Sequence, residues 1–481
     1  MEKSRPSLEE VFSPRAIAVV GASSSGRSLG IWPLIEAGFS VLYPVNPKYT
    51  EVFGLPCYPS LRDIPGVVDH VVVSIPAESL LALLDDCAAK GVRSVRFFTA
   101  GFSESGYAER AELEVAILDK AMVGGFRIIG PNCVGMFVPK KHIANATGLP
   151  MEPGSIAFIS QSGGHAQSLP FFSAPRGLRF SKVVSYGNAL DVDESELLDY
   201  LSQDSDTEII AAYIEGVKDG RRFLGAIKEA AARKPVIIYK SGTTDAGKRA
   251  TRGHTASLAG SRSIFDTLCR QMNVIQVDDI EEVVDMMVAL RFTNPLPEGA
   301  GVALLGQGGG PSVSASDEME RAGLQVPGLP PEVQAELKQF LPLPGSIFGN
   351  PVDARTLLSP EPILATMRVL GKVPDIHMFV YHLGFHPVSH WGNGRFSSDT
   401  FLPSFIDTLI QVQQETGKPV LLALRPAPDL RGMEEFLAIQ EALVKAGFPV
   451  FYSLSQVAKA MARLVTWRRY SRNSWVATIV P

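Results

Sequence analysis

Short, solidly apolar runs recur through the first third of the chain: Ala16 to Val20, Val41 to Val45, His70 to Ile75, Val95 to Thr99 and Arg127 to Ile129. Runs of this length without polar alternation predict strands buried on both faces. The stretches between them, such as Ile31 to Ala37 and Glu78 to Lys90, carry helical spacing. The alternation predicts a Rossmann-like doubly wound α/β sheet over residues 1–140. The pattern then restarts twice. Strands at Gly154 to Ser160, Lys182 to Ser185, Ile209 to Glu215 and Pro235 to Lys240, with a helix at Ser263 to Met272, predict a second α/β unit over 150–293. After the proline-rich Asn294 to Pro297, strands at His377 to His382, Pro419 to Leu424 and Pro449 to Tyr452, with a helix from Gln456 to Trp467, predict a third over 298–470.

The turns that leave these strands carry the candidate chemistry. The first strand enters Gly21-Ala-Ser23-Ser24-Ser25-Gly and then a helix start, where unpaired N–H groups and the helix dipole favour a phosphate. The second strand ends in Asn46-Pro47-Lys48 with no acidic residue to hold a ribose, and Lys48 suits a phosphate better, which argues against NAD. In the second unit Ser160-Gln161-Ser162-Gly163-Gly164-His165 forms another strand-to-helix turn, and Leu304-Leu-Gly-Gln307-Gly308-Gly309-Gly310 repeats it in the third. Two positive helix ends of this kind are suited to clamp one phosphoryl group. Asn188 lies in a polar loop that opens a helix, and Glu215 closes its strand at the carboxyl edge, where α/β sites form.

One histidine stands apart. Lys248-Arg-Ala-Thr-Arg252-Gly-His254-Thr-Ala-Ser257-Leu-Ala-Gly260 reads as a loop of small residues around His254. Neutral imidazole accepts a phosphoryl group when a carboxylate fixes its tautomer, and Glu215 is either that carboxylate or a solvated one. A surface histidine without a role is the plainer alternative. Cys133, in Gly130-Pro131-Asn132-Cys133, reads as a small buried hydrophobe. His382, His386 and His390 are four apart, but Gly384 and Pro387 forbid a regular helix, so no metal site is expected there.

Composition narrows the class. The 481 residues carry a net charge of −5 with no basic stripe, which excludes nucleic acid as the main partner. No apolar run reaches the ~18 residues of a membrane span, and the N-terminus lacks a signal-peptide core. Four scattered cysteines suit a reducing cytoplasm.

In chain order, Val19-Val-Gly-Ala-Ser23, Val45-Asn-Pro-Lys48, Gly130-Pro-Asn-Cys-Val-Gly135, Ser160-Gln-Ser-Gly-Gly164, Gly187-Asn-Ala-Leu-Asp-Val-Asp193, Tyr213-Ile-Glu-Gly216, Gly253-His-Thr-Ala-Ser-Leu-Ala-Gly260 and Asn350-Pro-Val-Asp353 resemble the NDP-forming acyl-CoA synthetases, the superfamily that includes succinyl-CoA synthetase. They are most similar to the α-type half of ADP-forming acetate–CoA ligases and span nearly the whole chain. The resemblance implies a CoA-binding domain followed by two flavodoxin-like ligase domains. It implies that His254 is phosphorylated in turnover and that Glu215 orients it. Ser160 to Gly164 and Gly308 to Gly310 would hold the phosphate. Gly21, Ser23, Ser24, Ser25 and Lys48 would hold the phosphates of CoA, with Ile75, Pro76, Pro131 and Asn132 along its adenosine and pantetheine. His165, Asn188, Asp353 and His382 would shape the site for the carboxylic acid or acyl-CoA. No ATP-grasp segment follows Tyr452, so the resemblance implies a separate β-type subunit carrying ATP or ADP with Mg2+, in a homo- or hetero-oligomer. A CoA-binding regulatory protein would keep the first domain without a phosphorylatable loop. A protein acetyltransferase on this scaffold would need a further domain.

Overall fold

Three sheets, each mostly parallel, arise from the apolar runs. The computed structural model describes residues 5–24, 30–255, 261–306, 308–383, 401–426 and 430–473. The first sheet contains β1 (Ile17–Val20), β2 (Leu42–Val45), β5 (His70–Val73), β6 (Ser94–Phe97) and β7 (Arg127–Ile129), in the order β2-β1-β5-β6-β7, all parallel, with β3 (Glu51–Val52) and β4 (Leu55–Pro56) as a small separate hairpin. The second contains β8 (Gly135–Phe137), β9 (Ile156–Ser160), β10 (Phe180–Ser185), β11 (Ile209–Ile214), β12 (Val236–Lys240) and β13 (Ile275–Val277), in the order β13-β12-β11-β9-β10-β8. The third contains β14 (Val302–Gly306), β15 (Ile347–Phe348), β16 (Val352–Asp353), β17 (Met378–Leu383), β18 (Val420–Leu424) and β19 (Val450–Phe451), in the order β15-β16-β14-β17-β18-β19. Strands β9, β10, β11, β14 and β18 are buried along their whole length, as parallel strands covered on both faces must be.

Apart from the antiparallel edge strand β8, the chain starts each sheet at an inner strand, builds to one side, then crosses back to the other. The order therefore reverses between β1 and β5, between β9 and β11, and between β14 and β17. Open α/β sheets bind ligands at the carboxyl ends beside such a reversal. The fold thus presents three crevices, and the turns singled out by sequence lie in them.

The sequence predicts three separate domains; the structure joins the first two sheets into one unit (residues up to 174, with 179–283), and the third sheet lies in a second unit with residues 175–178. Three features join the sheets of the first unit. Strand β8, too short to show as a periodic run, leaves the first sheet and pairs antiparallel with β10. Gly187, with φ +51°, lies so close to the Pro131–Asn132 turn that a Cβ would sit 2.2 Å from the Pro131 carbonyl oxygen. Asp191 accepts from Arg5 at 2.6 Å and from Arg127 at 3.0 Å, while Arg127 also grips Glu196 at 2.6 Å.

The sequence also reads the region of His254 as a loop. Instead, Asp245–Thr255 is helical. Thr244 starts it by accepting the Gly247 N–H on its hydroxyl and the Lys248 N–H on its carbonyl, Asp245 complements the helix dipole, and alanine, lysine and arginine are good helix formers. Residues 256–260 lie outside the described residues. Among the described residues no helix is long and apolar enough to cross a membrane.

Burial alone would raise the Asp191 carboxyl, but hydrogen bonds from Arg5 and Arg127 and the Ile128 N–H hold it below its ordinary value. A depressed carboxyl contributes stability that is complete above its unfolded value of about 4 and is lost as pH falls through the lower folded value. Asp191→Ala should cost about 3–5 kcal/mol in denaturant unfolding, because it leaves Arg127 buried with less charge to meet, and should flatten the acid limb of the stability curve. An unchanged midpoint and acid limb would refute this role.

Candidate active site

In the first crevice Gly21, the residue after β1, has φ +88°, and a Cβ there would stand 2.4 Å from the Ser74 carbonyl oxygen. Glycine is required because the turn presses against the residue leaving β5. This brings Gly21 beside Ile75, with Ser23 and Ser24 following in the same turn; Ser25 lies outside the described residues. Asn46 fixes the other wall. Its side-chain amide donates to the Ala22 carbonyl at 2.7 Å and accepts the Lys48 N–H at 3.0 Å, which leaves the Lys48 side chain exposed at the rim. The Thr99 hydroxyl donates to the Ile75 carbonyl at 2.8 Å, and the Asn132 N–H donates to the Thr99 carbonyl at 3.0 Å, so Pro131 and Asn132 line up with Ile75 along one edge. Cys133 is buried beneath them, with its thiol pushed up to about 11 by burial, and packs as the sequence reading expects.

In the second crevice Ser162 caps the helix Gly163–Ser173, its hydroxyl accepting the His165 N–H at 3.3 Å. The N–H groups of Gly163 and Gly164 have no acceptor among the described residues, which is the condition for receiving an anion. A Cβ at Gly163 would stand 3.1 Å from Val134, so this helix start packs closely on the segment that leaves the first sheet. Ser160 and Gln161 are buried and turn inward. The Ser160 hydroxyl and Ser162 main chain bond each other, and the Gln161 side-chain oxygen Oε1 accepts the N–H groups of Glu215 and Gly216. Gln161 therefore ties the turn after β9 to the turn after β11.

Glu215 itself is 4% exposed and accepts from the Tyr213 hydroxyl at 3.2 Å. The ring of His165 meets Tyr213 edge-on at 4.6 Å; burial lowers its pKa, while the charges of Glu215 and Glu281 oppose the shift. Lys240, buried at the end of β12, donates to the Glu215 carbonyl at 2.6 Å. Burial depresses its ammonium to about 8 against the pull of Glu215. The backbone of His254 lies in the last turn of the helix Asp245–Thr255, which packs on the turn Ser103–Ser105 of the first sheet's lobe; the ring lies outside the described residues. Asn188 is buried and commits its amide to Glu104 at 2.7 Å and Glu114 at 3.4 Å, where it bridges the two sheets.

In the third crevice Gly308, with φ +104°, precedes the helix Gly309–Ala322 and donates its N–H to Asp353 at 3.0 Å. His382 shares a hydrogen bond of 3.3 Å with Ser312, and a Cβ at Gly306 would fall 2.2 Å from its ring, so only glycine leaves room. Burial lowers the His382 pKa, opposed by Asp353. A Cβ at Gly310 would meet nothing within 4 Å. His386 and His390 lie outside the described residues.

Family models match three consecutive segments: a CoA binding domain over residues 15–139, a succinyl-CoA ligase like flavodoxin domain over 153–290 and a ligase-CoA domain over 302–389. The α subunit of ADP-forming acetate–CoA ligase II from Pyrococcus furiosus is 35% identical over 470 residues, 95% of this chain and 97% of that one. The chain belongs to the NDP-forming acyl-CoA synthetases. It is an α-type subunit of these acid–thiol ligases. A solved acetyl-coenzyme A synthetase 1 of Ca. Korarchaeum cryptofilum, described as dinucleotide forming and in complex with phosphate and ADP, is 30% identical, covers all of both chains and superposes with a TM-score of 0.79. ADP-forming acetate–CoA ligase I of Archaeoglobus fulgidus is 36% identical over 374 residues, and there the synthetase subunit matches 54% of its relative's length.

Asn46 and Lys240 were not among the sequence candidates, and Gln161 was one only as a phosphate ligand. Their roles rest on contacts across the sheet, and only the Asn46-Pro-Lys48 spacing hinted at one of them. Gly21→Ala should weaken CoA binding about tenfold or more, measured by calorimetry, since the added carbon meets a backbone oxygen and φ is unfavourable. CoA affinity equal to the parent would show that the Gly21 turn is not part of the cradle.

Proposed function

We propose that this α-type subunit interconverts acyl-CoA, ADP and phosphate with a carboxylic acid, CoA and ATP, through an acyl phosphate and a phosphohistidine at His254. The observation that carries the reading is the second crevice, where the helix start of Gly163 and Gly164 stands at the same sheet reversal as the buried Glu215. CoA is bound by the first crevice, with the Gly21–Ser25 turn and Lys48 on its phosphates and Ile75, Pro76, Pro131 and Asn132 along its length. The tight Gly21 turn fits that use, because a phosphate approaches main-chain N–H groups most closely where no side chain intervenes.

The acyl phosphate is bound with its phosphoryl group toward Gly163 and Gly164, and the Ser162 cap orients these donors. A neutral His254 ring nitrogen attacks phosphorus, the P–O bond to the acyl group breaks, and the carboxylate leaves. The ring then carries positive charge, which the Glu215 carboxylate stabilises through the opposite N–H. Phosphoryl transfer of this kind depends on positioning and charge neutralisation more than on covalent machinery. His165 faces the acyl or phosphoryl group beside Tyr213. The Gly308–Gly310 turn, Asp353 and His382 serve the same chemistry in the third crevice.

The nucleotide step is assigned to an ATP-grasp β-type subunit that supplies ATP or ADP with Mg2+, and the assembly is a cytoplasmic hetero-oligomer. Two relatives support this: the Pyrococcus furiosus protein is called an α subunit, and about half of the Archaeoglobus fulgidus ligase lies outside the match. Related ligases are named for acetate, 4-hydroxybutyrate and trans-ferulate, so the acyl pocket varies within the family.

Incubation with a panel of acyl phosphates, followed by intact-mass analysis, should give an acid-labile adduct of one phosphoryl group on His254 and identify the acyl group. His254→Ala should abolish the adduct while CoA still binds; label retained on that variant would refute the assignment. Glu215→Gln changes one charge and no volume, so it should slow adduct formation on the order of 10²-fold with the melting temperature held. An unchanged rate removes Glu215 from the mechanism.

A further inference from the structure

The three residues that surround the main chain of Glu215 divide the work between them. Gln161, from the turn after β9, accepts the N–H of Glu215 and the N–H of Gly216 on one carbonyl oxygen, the latter at 3.0 Å. Lys240, from the end of β12, donates to the Glu215 carbonyl at 2.6 Å and to the Ser241 carbonyl at 2.5 Å. Tyr213, two residues back on β11, donates to the side chain. Strand β11 lies between β9 and β12, so the main chain on either side of Glu215 is gripped from both neighbouring strands.

Lys240 is an expensive way to hold a backbone. Its side chain is 7% exposed, and transferring an ammonium from water to such a place costs several kcal/mol, whereas a methionine of similar length would fill the space without that cost. The hydrogen-bond partners of its ammonium are main-chain carbonyls, and Glu215 is the residue whose charge acts on it. A carbonyl at the end of a parallel strand ordinarily turns toward solvent or toward the ligand; here it is drawn inward. Gln161 does the same for the two N–H groups.

We propose that Lys240 and Gln161 are positioning residues that clamp the peptide groups around Glu215 from opposite sides, so that its carboxylate is presented at one fixed height to the phosphorylated histidine. The inference rests on the phosphohistidine reading above. It adds Lys240 to the site and gives Gln161 a positioning role, and it explains why a carboxylate on a turn acts with the precision of one on a strand. A carboxylate displaced by about 1 Å loses on the order of 10²-fold in rate, so the clamp has a measurable effect.

The test uses the complete subunit and whichever acyl phosphate labels the wild type. The rate of adduct formation on His254 is compared in Lys240→Met, Glu215→Ala and the double variant, with CoA affinity and melting temperature as controls. Lys240→Met should be slowed on the order of 10- to 100-fold with CoA affinity unchanged. The double variant should be no slower than Glu215→Ala, because a residue that acts only through Glu215 has nothing left to place. A wild-type rate in Lys240→Met, or slowing that multiplies in the double variant, overturns the proposal and leaves the phosphohistidine reading intact. Absence of an adduct in the wild type overturns both. If Lys240→Met does not fold, Lys240→Gln and Gln161→Met carry the same comparison, since each removes one side of the clamp with little change in volume.

Discussion

A parallel sheet whose strand order reverses beside its first strand leaves a gap that no connection covers, and this constraint governs the molecule. The loops on the two sides of the reversal run away from each other, so the carboxyl ends of two adjacent strands stay open and their peptide groups need partners. The same geometry is used three times, with different fillings. In the first sheet it is met by glycine pressed on a carbonyl, with Asn46 stitching the neighbouring strand. In the second, Gln161 and Lys240 satisfy the strand ends from inside, which leaves the helix start at Gly163 and Gly164 to meet a ligand. In the third, Asp353 satisfies Gly308 and His382 fills the space left by Gly306.

The division of labour follows from which groups are satisfied internally. A helix start with a carboxylate at its first N–H, as Asp353 stands at Gly308, is a weaker anion site than one whose first N–H meets a neutral hydroxyl, as Ser162 meets Ser160. The two turns that repeat the same glutamine and glycine pattern are therefore not equivalent in charge, although they occupy the same place in their sheets. Sequence similarity between them is a similarity of backbone, and the side chains brought in from other strands set the chemistry.

Much of this was legible in advance, for definite reasons. Strands β1, β5, β9, β11 and β14 declared themselves because burial on both faces forces an unbroken apolar run, and the turns after them showed through glycine. Strands β8 and β13, three residues each with a glycine or a glutamine among them, did not. The helix around His254 was hidden because Gly247, Gly253 and the small residues beside them mimic a loop, while the cap that starts it is a single threonine. Glu215 was visible by its place at a strand end. Lys240 was not, and the partners of Gln161 and Asn188 were not, since each acts on residues far away in sequence (Gln161 on Glu215, Asn188 on Glu104), and nothing local marks which distant group a side chain will serve. Asn188 is an example: its polar loop is legible in sequence, while the bonds of its amide to Glu104 and Glu114 in the first lobe are not.

Strand β8 carries a consequence for ancestry. It is encoded at the end of the nucleotide-fold segment yet hydrogen-bonds in the sheet of the next one, so a genetic break at the obvious boundary near residue 140 would give the first product an orphaned strand and leave the second sheet with an uncovered edge at β10. Exchange of the first lobe among relatives would be tolerated only if the crossover fell before Gly135 or carried the acceptor strand with it. The boundary that matters for exchange is thus the one drawn by hydrogen bonding, before Gly135, and it differs from the one drawn by the apolar pattern near residue 140.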